Sequence, residues 1–121
     1  MSGAIIAATL LTTVNTAPVV TLSTTVAYGS IYGGGTATTE VVTTSIAGGR
    51  APFTYSWTFV SGSATVNVTA STASSTSFYG TIAYGGQAFA VWRCTITDAS
   101  GQTSHADVDV FLQDPSLEII F

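Results

Sequence analysis

The stretch "QAFAVWRCTITDASGQTSHADVDVFL", residues 87–112, holds two alternating runs around one turn. In the first run Ala90, Trp92, Cys94 and Ile96 share a parity, and in the second Ala106, Val108, Val110 and Leu112 do. Successive side chains of a strand point to opposite faces, so each run reads as a strand with one buried side. Between them "TDASGQT" predicts a three-residue loop, Ala99-Ser100-Gly101, in which Gly101 takes the left-handed conformation. Asp98 then faces Gln102. Counting back sets Cys94 opposite Ala106, Trp92 opposite Val108 and Ala90 opposite Val110. Turn chemistry and apolar parity give the same register independently, and a one-residue slip would break both. The same count brings Arg93 opposite Asp107 on the outer side, which predicts a cross-strand ion pair.

The pattern extends upstream. "PFTYSWTFV" (52–60) puts Phe53, Tyr55, Trp57 and Phe59 on one face, which we read as a core strand entered through the turn "GGRAP" (48–52). "PVVTLSTTVAY" (18–28) reads as a strand with Val20, Leu22, Val26 and Tyr28 together. "TATTEVVTTSIA" (36–47) reads as another, with Val42, Thr44 and Ile46 together. "ATVNVTA" (64–70) is a short edge, and "TSFYGTI" (76–82) pairs Phe78 with Ile82. Thr and Val are abundant, helix-forming Lys and Glu are nearly absent, and Gly punctuates the runs. Seven strands between residues 18 and 112 predict an all-β, antiparallel sandwich, an architecture that takes ~100 residues.

Charge narrows the function. Only 7% of the 121 residues are charged, the net charge is −4, and the sole basic side chains are Arg50 and Arg93. Two scattered arginines cannot supply the cationic stripe that a phosphate backbone requires, so nucleic acid is not expected as a partner. Apolar runs are interrupted every few residues and fall short of the ~20 that span a bilayer, so no membrane is expected. "MSGAIIAATLLTTVNTA" lacks a basic flank, so we expect a soluble, unprocessed chain. A single cysteine, Cys94, excludes an internal disulfide and fits a reducing compartment. The sequon Asn67-Val68-Thr69 arises easily in a Thr-rich chain and is discounted.

Chemistry-bearing clusters are sparse. His105, Asp107 and Asp109 share a strand face, but residues two apart lie ~7 Å from each other, too far to hold one ion without a bend. Asp98 in "DASG" reads as a turn-capping carboxylate in preference to a calcium ligand. His105 adjoins Ser104, and adjacent strand residues point apart, so the two cannot act as base and nucleophile. Cys94 reads as an inert core thiol. "GGG" (33–35) precedes a strand and is no phosphate loop. We therefore expect no enzyme, no cofactor and no metal. Two loops, "AYGSIYGGG" (27–35) and "TIAYGGQ" (81–87), are rich in Gly and Tyr, a composition suited to adaptable contacts.

"GGRAPFTYSWTF" followed by "VWRCTITDASGQTSHADVDVFL" resembles the immunoglobulin-like and PKD-like modules common in bacterial surface proteins and phage virion proteins. The resemblance implies Trp57 as the core tryptophan. It places Cys94 where antibody-type domains carry a cysteine, with Trp92 two residues earlier where they often have Tyr. The matching upstream strand, Thr44 to Ile46, has no cysteine. Core residues are thus expected at Trp57, Trp92, Cys94, Phe53 and Tyr55. Residues 18–112 form the expected sandwich, flanked by an apolar N-terminal arm (1–17) and a C-terminal arm (113–121). The chain as a whole is similar to small phage structural proteins, which implies a capsid decoration (cement) protein located in the virion after assembly in the host cytoplasm. Its partners would be the major capsid protein or other virion subunits, with a homo-oligomer, preferably a trimer, on the particle. The docking residues would be Ile5, Ile6, Leu10, Leu11, Ile119, Ile120 and Phe121. The alternative is an Ig-like adhesion module of a phage tail or neck, or of a bacterial surface, binding host glycan or protein.

Overall fold

Runs rich in Val, Thr and aromatics, broken by glycines, leave the backbone few partners within one segment, so its polar groups are satisfied between strands. The computed structural model describes residues 16–116. Ten strands lie among them: β1 (Val19–Leu22), β2 (Val26–Ser30), β3 (Gly35–Thr38), β4 (Val42–Ala47), β5 (Thr54–Gly62), β6 (Asn67–Val68), β7 (Ser75–Thr76), β8 (Phe78–Ile82), β9 (Gln87–Thr97) and β10 (Thr103–Gln113). They form a four-stranded sheet, β2-β10-β9-β5, and two three-stranded sheets, β1-β4-β7 and β3-β8-β6. The chain is all-β in its described part, with antiparallel pairing except between β2 and β10, which run parallel. The arrangement is consistent with a β-sandwich.

The β9–β10 hairpin follows the expected register. Cys94 pairs with Ala106, Arg93 with Asp107, Trp92 with Val108 and Ala90 with Val110. The Asp98 amide donates to the Gln102 carbonyl at 2.8 Å, and Gly101 turns the loop at φ +92°. At the entry to β5, Gly48 and Gly49 have φ of +76° and +73°, a conformation that costs residues with a Cβ.

Two strands expected to be continuous are broken, and the breaks change parity. Residues 18–28 form β1 and β2 in different sheets. At the bend the Thr24 hydroxyl accepts from the Val26 amide at 3.2 Å and donates to its carbonyl at 2.8 Å, a local bond that competes with strand pairing. Val20 stays buried, but beyond the bend Ala27 faces inward and Tyr28 outward, 60% exposed. Residues 36–47 likewise split into β3 and β4 around Thr39–Val41. The buried Thr39 hydroxyl donates to the Glu40 carbonyl at 2.8 Å and accepts from the Phe78 amide at 3.0 Å. Ala37 faces the core before the break and Val42 after it.

The core joins both layers. The four-stranded sheet contributes Ala27, Val108, Val110, Leu112, Ala88, Ala90, Trp92, Cys94, Ile96 and Trp57. Val20, Val42, Ala37, Phe78, Ile82 and Val66 close over them. The Trp57 ring meets Phe78 edge-on, centroids 5.8 Å apart, and Phe78 lies 5.6 Å from Trp92. Of the expected core residues, Trp57, Trp92 and Cys94 are buried, while Phe53 and Tyr55 are half-buried against the cluster. Phe59 is a correction: it keeps the inward parity but is 43% exposed. The register of β5 shifts between Phe59 and Ser61, and such a bulge bends the strand away at a sheet edge. The Phe59 ring meets Trp92 edge-on, centroids 5.8 Å apart.

Strand elements of the sandwich run from Val19 to Gln113. Most of the expected N-terminal arm, with Ile5, Ile6, Leu10 and Leu11, lies outside the described residues. So do Ile119, Ile120 and Phe121.

Candidate functional site

Beyond each end of β10 lies a buried carboxylate, Asp98 in the β9–β10 turn and Asp114 just after β10, and each organises turns. At the first end Asp98 accepts from the amides of Arg50 (3.1 Å), Ser100 (2.9 Å) and Gln102 (2.9 Å), and from the Ser100 hydroxyl at 2.8 Å. Burial disfavours its charge, but these donors outweigh that and hold its carboxyl below the usual range. With its oxygens so engaged, Asp98 is the turn cap that the sequence suggested.

At the other end Asp114 sits between the β2–β3 loop (31–34) and the β8–β9 loop (83–86). Its Oδ2 accepts from the Gly34 amide and its Oδ1 from the Ser116 amide at 2.8 Å. Its own amide donates to the Gly86 carbonyl at 2.8 Å. The Ser116 hydroxyl accepts from the Gly33 amide at 2.9 Å. Burial again opposes the charge, and the donors of Ser116, Gly34 and Gly85 overcome it, so the Asp114 carboxyl is also held low. The clasp draws together the two Gly- and Tyr-rich loops singled out in the sequence. It leaves Tyr32 at 69% and Tyr84 at 54% exposure on that end. A rigid mount for exposed aromatics lowers the ordering cost of any contact they make. Sequence reasoning found the loops but missed the clasp; "QDPS" (113–116), an acid two residues before a serine, was its signal.

The outer face of the four-stranded sheet divides in two. Toward the Asp98 end it is polar: Arg93 Nε donates to Asp107 Oδ1 at 2.8 Å and Nη2 to Oδ2 at 3.1 Å, both side chains partly exposed. That hydrogen bond, and then the guanidinium charge, keep Asp107 low despite some burial. Toward the Asp114 end it is apolar. The register aligns Tyr28, Phe111 and Phe89 in one row across β2, β10 and β9, and Val26, Asp109 and Val91 in the next. Tyr28 and Phe111 meet edge-on at 5.8 Å, and Phe89 is 49% exposed. The face is thus polar over only half its length. Phe89 and Val91 alternate with the core residues Ala90 and Trp92, so their outward parity was already legible.

The remaining candidates stay apart. Ser104 accepts from the Val20 amide at 3.3 Å, and His105 is exposed on the opposite side of β10. Cys94 is fully buried, and burial pushes its thiol up to about 11. Among the described residues no three of His, Cys, Asp and Glu are placed to hold a metal ion, and no helix is long and apolar enough to cross a membrane. No protein-family model and no curated protein matches the chain.

Proposed function

We propose that this protein is a non-enzymatic structural component of a phage virion, an immunoglobulin-like sandwich that binds an assembled capsid and stabilises it as a decoration protein. Support for the immunoglobulin-like reading comes from Trp57 paired with Cys94 across β5 and β9, and from a first strand that changes sheets between β1 and β2. The observation that carries the functional reading is a contrast. Residues 19–113 fill their own core, yet the sequence adds an uncharged "MSGAIIAATLLTTVN" before them and "LEIIF" near the end. A closed domain has no need of such segments, whereas a chain that docks on a large partner gains apolar contact from them. The partner is the major capsid protein or another virion subunit, met through Ile5, Ile6, Leu10, Leu11, Ile119, Ile120 and Phe121. Many copies, preferably as trimers, would act together by avidity.

Deleting residues 1–15 tests this. The truncated chain should lose association with purified particles and leave them less heat-resistant. Full retention of both would overturn the reading. A second reading, an adhesion module for host glycan or protein, is favoured by the clasped loops that hold Tyr32 and Tyr84 outward. On that reading the same truncation leaves host-cell binding intact, and Tyr32→Ala with Tyr84→Ala abolishes it.

A further inference from the structure

We propose that the apolar half of the outer sheet face is a docking surface for a protein segment that presents a lysine or arginine beside an apolar side chain, with the cation seated between Asp109 and the aromatic row. Tyr28, Phe111 and Phe89 form that row across β2, β10 and β9, and Val26, Asp109 and Val91 form the next. Asp109 is half-buried, with a valine beside it on each neighbouring strand. Asp107, two residues away on the same face, is held by two hydrogen bonds from Arg93. Asp109 has no ion pair and no side-chain hydrogen bond among the described residues. A carboxylate partly withdrawn from water and flanked by apolar groups gains more from an incoming cation than a fully solvated one.

No basic side chain of this chain is placed to supply that cation. The sequence has no lysine, and its arginines are Arg50 and Arg93. Arg93 is committed to Asp107. Arg50 donates its amide to Asp98 at 3.1 Å, and Asp98 lies seven residues beyond Val91 along β9, about 23 Å and out of reach of one side chain. His105 stands four residues before Asp109 on β10, about 13 Å away. The remaining carboxylates add to the attraction or stand apart from it. Glu40 Oε1 accepts from the Tyr28 amide at 3.0 Å, which sets a second carboxylate at the β2 edge of the aromatic row. Asp114 lies beyond Gln113, buried, with its oxygens taken by the Gly34 and Ser116 amides. An incoming cation thus meets Asp109 within the patch, Glu40 at its rim, and aromatic rings, which attract a cation within ~6 Å of their centroids.

Charge selects the occupant. Nucleic acid or an anionic lipid surface would bring negative charge against Asp109 and Glu40. A second copy related by a two-fold axis would set the patch against itself, carboxylates facing carboxylates, with no lysine to offer. Size agrees with charge. Strands ~4.8 Å apart and rows ~7 Å apart make the patch on the order of 200 Å², whereas a stable dimer needs about 800 Å² from each partner. That is room for one basic side chain and an apolar neighbour, a local contact within a larger assembly. The proposal asks only for such a segment and holds whether or not the capsid reading does. On a particle it would add a contact made by the sandwich itself.

Titration of the full-length, isotope-labelled chain with two peptides tests it: acetyl-Leu-Lys-Leu-amide and its neutral counterpart acetyl-Leu-Gln-Leu-amide, both at millimolar concentration. The lysine peptide should shift the amides of Val26, Tyr28, Phe89, Val91, Asp109 and Phe111, and should bind about fivefold tighter than the glutamine peptide. Added salt should narrow that gap. Asp109→Asn should abolish the gap while keeping the β9–β10 amide pattern of a folded sheet. Phe89→Ala, also on the outer face, should weaken both peptides and keep the gap. Equal binding of the two peptides, no shifts in these rows, or shifts centred on Asp107 and His105 would overturn the proposal. So would row amides that move with protein concentration alone, which would give the face to a second copy, or contacts to the row from the chain's own ends.

Discussion

Replacing Leu112 by alanine should remove more stability than a typical large-to-small substitution in a sandwich of this size. Leu112 is fully buried on β10, and its two methyl ends lie where two glycines leave room. A Cβ on Gly29 would sit 2.9 Å from one δ-carbon, and a Cβ on Gly80 3.1 Å from the other. The socket is therefore walled partly by backbone, and neither glycine has a side chain of its own to swing into the void. Leucine-to-alanine changes cost about 2.7–5 kcal/mol, and the cost rises as the site is less able to collapse. We expect about 4 kcal/mol here, a large share of the ~5–15 kcal/mol that holds a domain together. Urea unfolding followed by the fluorescence of Trp57 and Trp92 measures it. A companion substitution sharpens the test. Gly29→Ala would bring its Cβ within 2.7 Å of the Thr38 carbonyl carbon and oxygen as well. Shortening Leu112 relieves one contact but leaves the backbone one. The double variant Gly29→Ala/Leu112→Ala should thus be less stable than either single variant. A loss below ~1 kcal/mol for Leu112→Ala, or recovery in the double variant, would refute the socket argument.

Acid should weaken the fold through Asp98 and Asp114. Their folded carboxyls are held low, so their contribution is complete above the unfolded value of about 3.9 and is lost as pH falls through the lower folded values. Urea midpoints measured from pH 7 to pH 2 should fall in that window, and Asp114→Asn should flatten part of the fall. Cys94, buried and raised to about 11, should resist a thiol reagent at pH 8 in the native protein and react at once in urea. The two tryptophans should differ on conversion to phenylalanine. Trp57 Nε1 donates to the Ala73 carbonyl at 2.9 Å, whereas Trp92 Nε1 is buried without a partner among the described residues. Trp57→Phe strands a carbonyl and Trp92→Phe removes an orphan donor, so the first should cost more by about 1 kcal/mol or more; equal losses would contradict the assignment.

What could be read from sequence and what could not follows from the range of the forces involved. The β9–β10 hairpin was legible because turn and parity are both local and each fixes the register alone. The breaks at Thr24 and Thr39 were not, because "TLSTTVAY" and "TATTEVV" alternate well enough to pass as single strands. Their interruption comes from threonine hydroxyls bonding to nearby backbone, in one case to Phe78 thirty-nine residues away. A hydroxyl that ends a strand has the same sequence signature as one that decorates it. Phe59 shows the complementary limit: parity states which way a side chain points but not whether a second layer stands opposite. The Asp114 clasp needed the two loops brought together by the fold before its role had any meaning.

The outer face carries the functional consequence. Parity sets Phe89, Val91 and Phe111 outward, yet a face containing Asp107, Asp109 and Arg93 reads as solvated when averaged along a strand. Register resolves the average. Pairing across β2, β10 and β9 sets the Arg93–Asp107 pair toward one end and the aromatic row toward the other, with Asp109 in the row between, so one sheet presents two surfaces of different character. The polar half is satisfied within itself by the Arg93–Asp107 pair. Among the described residues the aromatic half has no comparable internal partner beyond the Tyr28–Phe111 contact, and it lies at the Asp114 end of the sheet. A sandwich whose core is closed by its own strands can hold its aromatic surface and its apolar ends for contacts outside that core. That division of labour fits the proposed docking role better than it would fit a self-contained binding pocket.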